Sequence, residues 1–98
     1  MYRVLVRHKV LDYLRWKSVF DGCIPSMSEN GFEKATIFRN ADNPNEVFVL
    51  GEINDVQKVR QFFQSEEVAE KMQRAGVSDQ TDIYILDEVG AVQTKAAA

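Results

Sequence analysis

The order in which two kinds of hydrophobic pattern follow one another constrains this chain most. Over residues 2–10 apolar and basic side chains alternate, with Val4, Val6, His8 and Val10 on one side and Arg3, Leu5, Arg7 and Lys9 on the other, the period of a strand. Asp12 is placed to cap a helix in which Tyr13, Trp16, Phe20, Ile24 and Met27 recur as one apolar stripe. Pro25 is expected to kink or end that helix early, and Gly31 to terminate it. Two β-rich runs follow, residues 32–41 and 46–54, around an expected turn at 42–45 whose Asp, Asn and Pro each favour bends. Asp55 caps a second helical stretch carrying Val56, Val59, Phe62 and Phe63, with a fresh start expected at Ser65 that carries Val68, Ala69 and Met72 as far as Gly76. Residues 81–89 supply a last strand.

That βαββαβ order within 98 residues predicts a single α+β domain of ferredoxin-like sandwich type, spanning residues 1–89, with a four-stranded antiparallel sheet and helices on one face. Residues 90–98 read as a disordered tail, and Ala96, Ala97 and Ala98 as an expression-vector scar. A sheet covered on one side should alternate cleanly between apolar and polar. The second strand pair does not: Val47, Val49, Gly51 and Ile53 lie on one face, yet Phe48 and Leu50 lie with Glu52 on the other. Together with Leu5 they predict that a second copy of the chain covers the helix-free face, giving a homodimer.

Charge narrows the partners. A net charge of -3 with no basic cluster argues against nucleic acid, because phosphate binding needs a surplus of Lys and Arg on one surface. No stretch approaches the roughly 18 apolar residues of a membrane-spanning helix, and the chain opens directly into a strand, so a cytoplasmic protein with no membrane partner is expected. The lone Cys23 fits a reducing compartment. One His and one Cys do not make a zinc set, and the five glycines are isolated, so neither a metal nor a nucleotide cofactor is expected.

His8 on the first strand, the segment 12–17 opening the first helix, the 42–46 hairpin and the stretch from Ser65 to Val77 together resemble the dimeric α+β barrel superfamily, in particular its antibiotic-biosynthesis-monooxygenase-like and cyclase-like small proteins. The resemblance spans nearly the whole domain. It implies two sheets packed face to face across a dimer, helices outside, and a small-molecule pocket between the sheet and helices of each subunit. The superfamily holds cofactor-free oxygenases acting on aromatic polyketides, haem-degrading enzymes, isomerases and members with no assigned reaction. Haem-degrading relatives supply an axial histidine from the second helical region, and residues 56–76 contain none, so no haem is expected here.

Two residues are catalytic candidates: His8, the one side chain whose ordinary pKa lies near neutrality, and Trp16, placed to stack on an aromatic substrate. Phe20, Phe62, Phe63 and Met72 are candidates for the wall of a pocket, with Gly51 leaving room against them in mid-strand. The competing reading of the same residues is ordinary core, with His8 as a partly buried histidine bonded to a backbone group. Two functions therefore stand. One is a cofactor-independent oxygenase or cyclase in which His8 moves a proton at an acidic carbon or enol. The other is a non-catalytic dimeric ligand-binding or interaction module. A solvent-filled cavity touching His8 favours the first, and a closed apolar core there favours the second.

Overall fold

The fold was obtained as a computed structural model that describes residues 1–95, and the three alanines read as a scar lie outside the described residues. Its elements run β1 (Tyr2–Lys9), α1 (Tyr13–Glu29), β2 (Phe32–Asn40), β3 (Asn43–Ile53), α2 (Val56–Gln64), α3 (Glu66–Arg74) and β4 (Asp82–Asp87). The four strands form one sheet in the order β2-β3-β1-β4, and every pairing is antiparallel. This is the expected ferredoxin-like sandwich. Residues 88–95 carry neither helix nor strand and are exposed.

The alternation of β1 and β3 fixes which face meets the helices. Val4, Val6 and His8 of β1 stand opposite Gly51, Val49 and Val47 of β3, and all six are buried. The four valines among them, with Trp16, Met27, Phe32, Ile53 and Val59, belong to one core, each fully buried valine contributing about 1.5–3 kcal/mol by leaving water.

Helix ends follow the local chemistry. Asp12 and Asp55 accept the backbone N–H of Arg15 and Lys58, capping α1 and α2. Ser65 both ends α2 and starts α3: its hydroxyl donates to the Phe62 carbonyl at 2.7 Å and accepts the Val68 N–H at 3.3 Å, which breaks the helical stretch where a fresh start was expected. Gly31, with φ +95, lets the chain leave α1 and turn straight into β2.

Four details depart from the sequence reading. Pro25 does not end α1, which continues to Glu29. The carbonyl of Asp21 loses its helical donor, but Asp21 and Pro25 are both exposed, so water can serve that carbonyl while burial of Met27 holds the last turn. The inward stripe of α1 passes through Cys23 instead of Ile24, which is 51% exposed, and Val19 and Cys23 line the same cavity as Val68 and Met72 of α3. The hairpin turns at Ala41 and Asp42, earlier than expected, with Asn40 Oδ1 accepting the Asp42 N–H, and Pro44 is absorbed into the start of β3. Pro44 lies beyond the last residue paired with β1, so its missing N–H costs no bond to that strand. Finally β4 is shorter than residues 81–89, since Asp87 already pairs with Tyr2 and β1 offers no further partner.

Candidate functional site

Between the sheet and the helices lies a cavity of about 70 Å³. β1 and β3 supply its floor through Val6, His8 and Val49, α1 one wall through Trp16, Phe20 and Cys23, and α2 and α3 the other through Phe62, Phe63, Lys71 and Met72. Of the residues singled out from the sequence, His8, Trp16, Phe20, Phe62, Phe63 and Met72 all line this space. Gly51 does not. A Cβ there would lie 2.9 Å from Val4 Cγ1 and 3.2 Å from the Phe32 ring. The missing side chain makes room for Phe32, which itself lines the cavity.

Two aromatic groups face the space. Trp16 stacks on Phe20 at 4.9 Å between centroids and meets Tyr13 at 5.9 Å. Phe62 and Phe63 meet edge to face at 5.3 Å, and each packs edge-on to Phe32. Such tilted and stacked pairs present π faces and edges that a planar apolar ligand can use.

His8 is the polar centre of this wall, 6% exposed, its ring 6.0 Å from that of Trp16. Its Nδ1 lies 3.0 Å from the Thr81 hydroxyl, and Thr81 Oγ1 lies 3.6 Å from Met72 Sδ. The order in which each proton finds a partner has Nδ1–H donating to Thr81 and Thr81 donating to the Met72 sulfur. Nε2 is then an acceptor. No buried side-chain nitrogen or oxygen among the described residues lacks a partner, and His8 itself lines the cavity. Burial lowers the imidazole from its usual 6.5 to about 4, so His8 is neutral at physiological pH.

Of the lining residues not singled out as site candidates from the sequence, Cys23 and Lys71 are the two with ionisable side chains. Burial pushes the Cys23 thiol pKa upward, which keeps it protonated and chemically quiet. Lys71 contributes its stem to the wall and pairs its ammonium with Glu67 at 2.9 Å. A lysine on a helix otherwise rich in charge reads as solvated surface, so only tertiary placement reveals it. Among the described residues there is no group of three or more His, Cys, Asp or Glu side chains able to hold a metal ion.

The opposite face of the sheet is different in kind. Leu5 is flanked by Leu50 and Tyr84, and Phe48 by Phe38 and Arg7. Phe38, Tyr84 and Leu86 are 50%, 52% and 41% exposed. Arg7 sits among them and is neutralised from both sides, by Glu46 at 2.6 Å and Asp82 at 3.0 Å. Asn40, which donates to Glu46 at 2.7 Å, and Arg7 hold that carboxyl below the usual glutamate range.

Comparison with solved structures places this architecture. The chain superposes on SnoaB, a cofactor-independent oxygenase from Streptomyces nogalater, with a TM-score of 0.73 and 14% identity, covering 93% of this chain and 95% of that one. It matches a conserved protein from Methanosarcina mazei Go1 with a TM-score of 0.68 and 18% identity over 87% of this chain and 89% of that one. An antibiotic biosynthesis monooxygenase gives a TM-score of 0.66 at 11% identity, covering 92% and 100%. The fold is thus that of the antibiotic-biosynthesis-monooxygenase-like α+β proteins that the sequence resembled. No profile of a known protein family matches the chain, and no curated protein matches it in sequence. Among the described residues no helix is long and apolar enough to cross a membrane.

Proposed function

We propose that this protein binds a small aromatic or enolic molecule in the cavity between sheet and helices and moves a proton at it, in the manner of cofactor-independent oxygenases. The observation that carries this reading is the space lined jointly by His8 and Trp16, whose rings lie 6.0 Å apart. A planar substrate seated against Trp16 and the Phe62–Phe63 pair would bring an acidic C–H or enol O–H to Nε2. The proton passes to that nitrogen, the ligand is left as a carbanion or enolate, and Nδ1–H stays with Thr81. An electron-rich anion of this kind can react with dioxygen without a bound cofactor, and the apolar walls keep water from reprotonating it.

The low basicity of His8 specifically favours the second reading, a non-catalytic ligand-binding module. An imidazole with pKa about 4 is a weak base toward an enol, and the transfer runs only because the enolate formed beside the imidazolium stabilises it within the desolvated site. The chain is further proposed to act as a homodimer through the helix-free face. There the apolar side chains are exposed while Arg7 is already paired within its own subunit, so a second copy can cover the face without leaving that guanidinium unpaired.

The experiment is direct. An enolisable aromatic ketone such as 2-tetralone is incubated in deuterated buffer with the protein and with the His8→Gln variant, and exchange of its acidic C–H is followed by proton NMR. Protein-dependent exchange lost in the variant supports proton transfer. Binding seen as a shift of the single Trp16 indole signal without any exchange supports the module instead.

A further inference from the structure

The wall of the cavity is apolar apart from His8, Cys23 and Lys71, and no carboxylate lines it. Of these three, with His8 neutral and the Cys23 thiol protonated, Lys71 carries the charge at neutral pH. Its side chain is folded down, 23% exposed, while its partner Glu67 stands 66% exposed one helical turn earlier. Arg74 lies three residues further along the same helix, and both cations act electrostatically on the Cys23 thiol, with Glu67 acting in the opposite sense. Basic residues in the last turn of a helix ordinarily serve the helix dipole. Lys71 does more than that role requires, since its stem also closes an apolar space.

We propose that Lys71 makes this a site for an anionic ligand: an apolar or aromatic body held against Trp16 and Phe62, and a carboxylate or ionised enol or phenol paired with the ammonium. This rests on the ligand-binding reading above and adds the charge of the ligand to it. The exchange of partners is inexpensive. An exposed i,i+4 pair such as Lys71–Glu67 contributes little, because Glu67 recovers its hydration when released. A ligand anion at the edge of a desolvated wall is less screened and gains more from the same ammonium.

Benzoate and benzamide are matched in shape and differ in charge, so they separate the two ideas. Each is titrated into 15N-labelled protein at low salt while the Trp16 indole signal is followed, for the native chain and for Lys71→Met, Lys71→Arg and Glu67→Gln. Benzoate is expected to bind at least about five-fold tighter than benzamide to the native chain, with the gap narrowing as salt is added. Lys71→Met should remove that preference while benzamide binding persists, which also shows the variant folded. Lys71→Arg should keep the preference, and Glu67→Gln should strengthen benzoate by releasing the lysine. Equal binding of the two compounds to the native chain, or a benzoate preference that survives Lys71→Met, overturns the role of Lys71 and leaves the cavity reading standing. No response of Trp16 to either compound in any chain overturns the cavity reading and this inference with it.

Discussion

His8 Nδ1 and Thr81 Oγ1 lie 3.0 Å apart although 73 residues separate them. The bond ties the C-terminal end of β1, on its helix-facing side, to the residue just before β4, and it decides what the imidazole offers to the cavity. With Nδ1–H held by Thr81, the free electron pair is on Nε2. Long-range proton–nitrogen NMR at pH 7 should therefore show His8 as the Nδ1–H tautomer. Thr81→Val removes the acceptor, and the tautomer equilibrium should then move toward Nε2–H at a stability cost of about 1 kcal/mol. An Nε2–H signal in the native chain would reverse the direction of the His8–Thr81 bond.

Burial of the same imidazole couples stability to pH. The folded pKa is about 4 against 6.5 in the unfolded chain, so between those values the unfolded state binds more protons. The contribution of neutral His8 is complete above pH 6.5 and is lost as pH falls toward 4, amounting to about 3 kcal/mol over the whole window. Urea midpoints measured from pH 7.5 to 4 should fall steeply for the native chain. In His8→Gln the part of the slope between pH 6.5 and 5, above the carboxylate range, should be nearly flat, and equal slopes in both proteins would contradict a buried neutral histidine.

Gly51 offers a test of packing. A methyl group there would press on Val4 Cγ1 and on the face of Phe32, so Gly51→Ala should cost about 1–3 kcal/mol through overpacking. The displaced ring belongs to the cavity wall, and the Trp16 fluorescence response to aromatic ligands should change along with the melting temperature. Phe32→Leu in the Gly51→Ala background gives the methyl room and should recover part of the loss. Independent, additive effects of the two substitutions would show that Gly51 does not act through Phe32.

What was legible in the sequence is what depends on neighbours along the chain. The alternation of β1 placed His8 on the helix side, Ser65 before two glutamates announced the break between α2 and α3, and Gly31 marked the exit from α1. What was not legible depends on neighbours in space. The stripe of α1 reads equally well through Ile24 or Cys23, and the position of α3 decides between them. Thr81 looks like the first residue of a strand until β4 folds back beside β1. Lys71 looks like surface until it is seen lining the cavity with Met72 and Phe63. Pro44 looks like a turn residue, and its place in β3 follows from β1 ending before it.

The helix-free face yields the last prediction. Tyr84, Leu5 and Leu50 form a row across three strands, with Asp82, Arg7 and Phe48 in the next row on the same face. In an isolated chain Tyr84 is 52% exposed, so Tyr84→Lys should scarcely change the stability of one subunit. In a two-fold symmetric dimer the same substitution acts twice, and each new ammonium must either lose its water or hold the sheets apart. Light scattering after size exclusion should give the native protein twice the chain mass of 11.2 kDa at micromolar concentration. Tyr84→Lys should weaken the dimer by at least about ten-fold, because burying this aromatic twice is worth several kcal/mol. Leu5→Lys is the harsher variant, but Leu5 is half-buried within the subunit, so its effect mixes folding with assembly. A native mass of 11.2 kDa that holds across dilution would show that this face stays uncovered by a second copy.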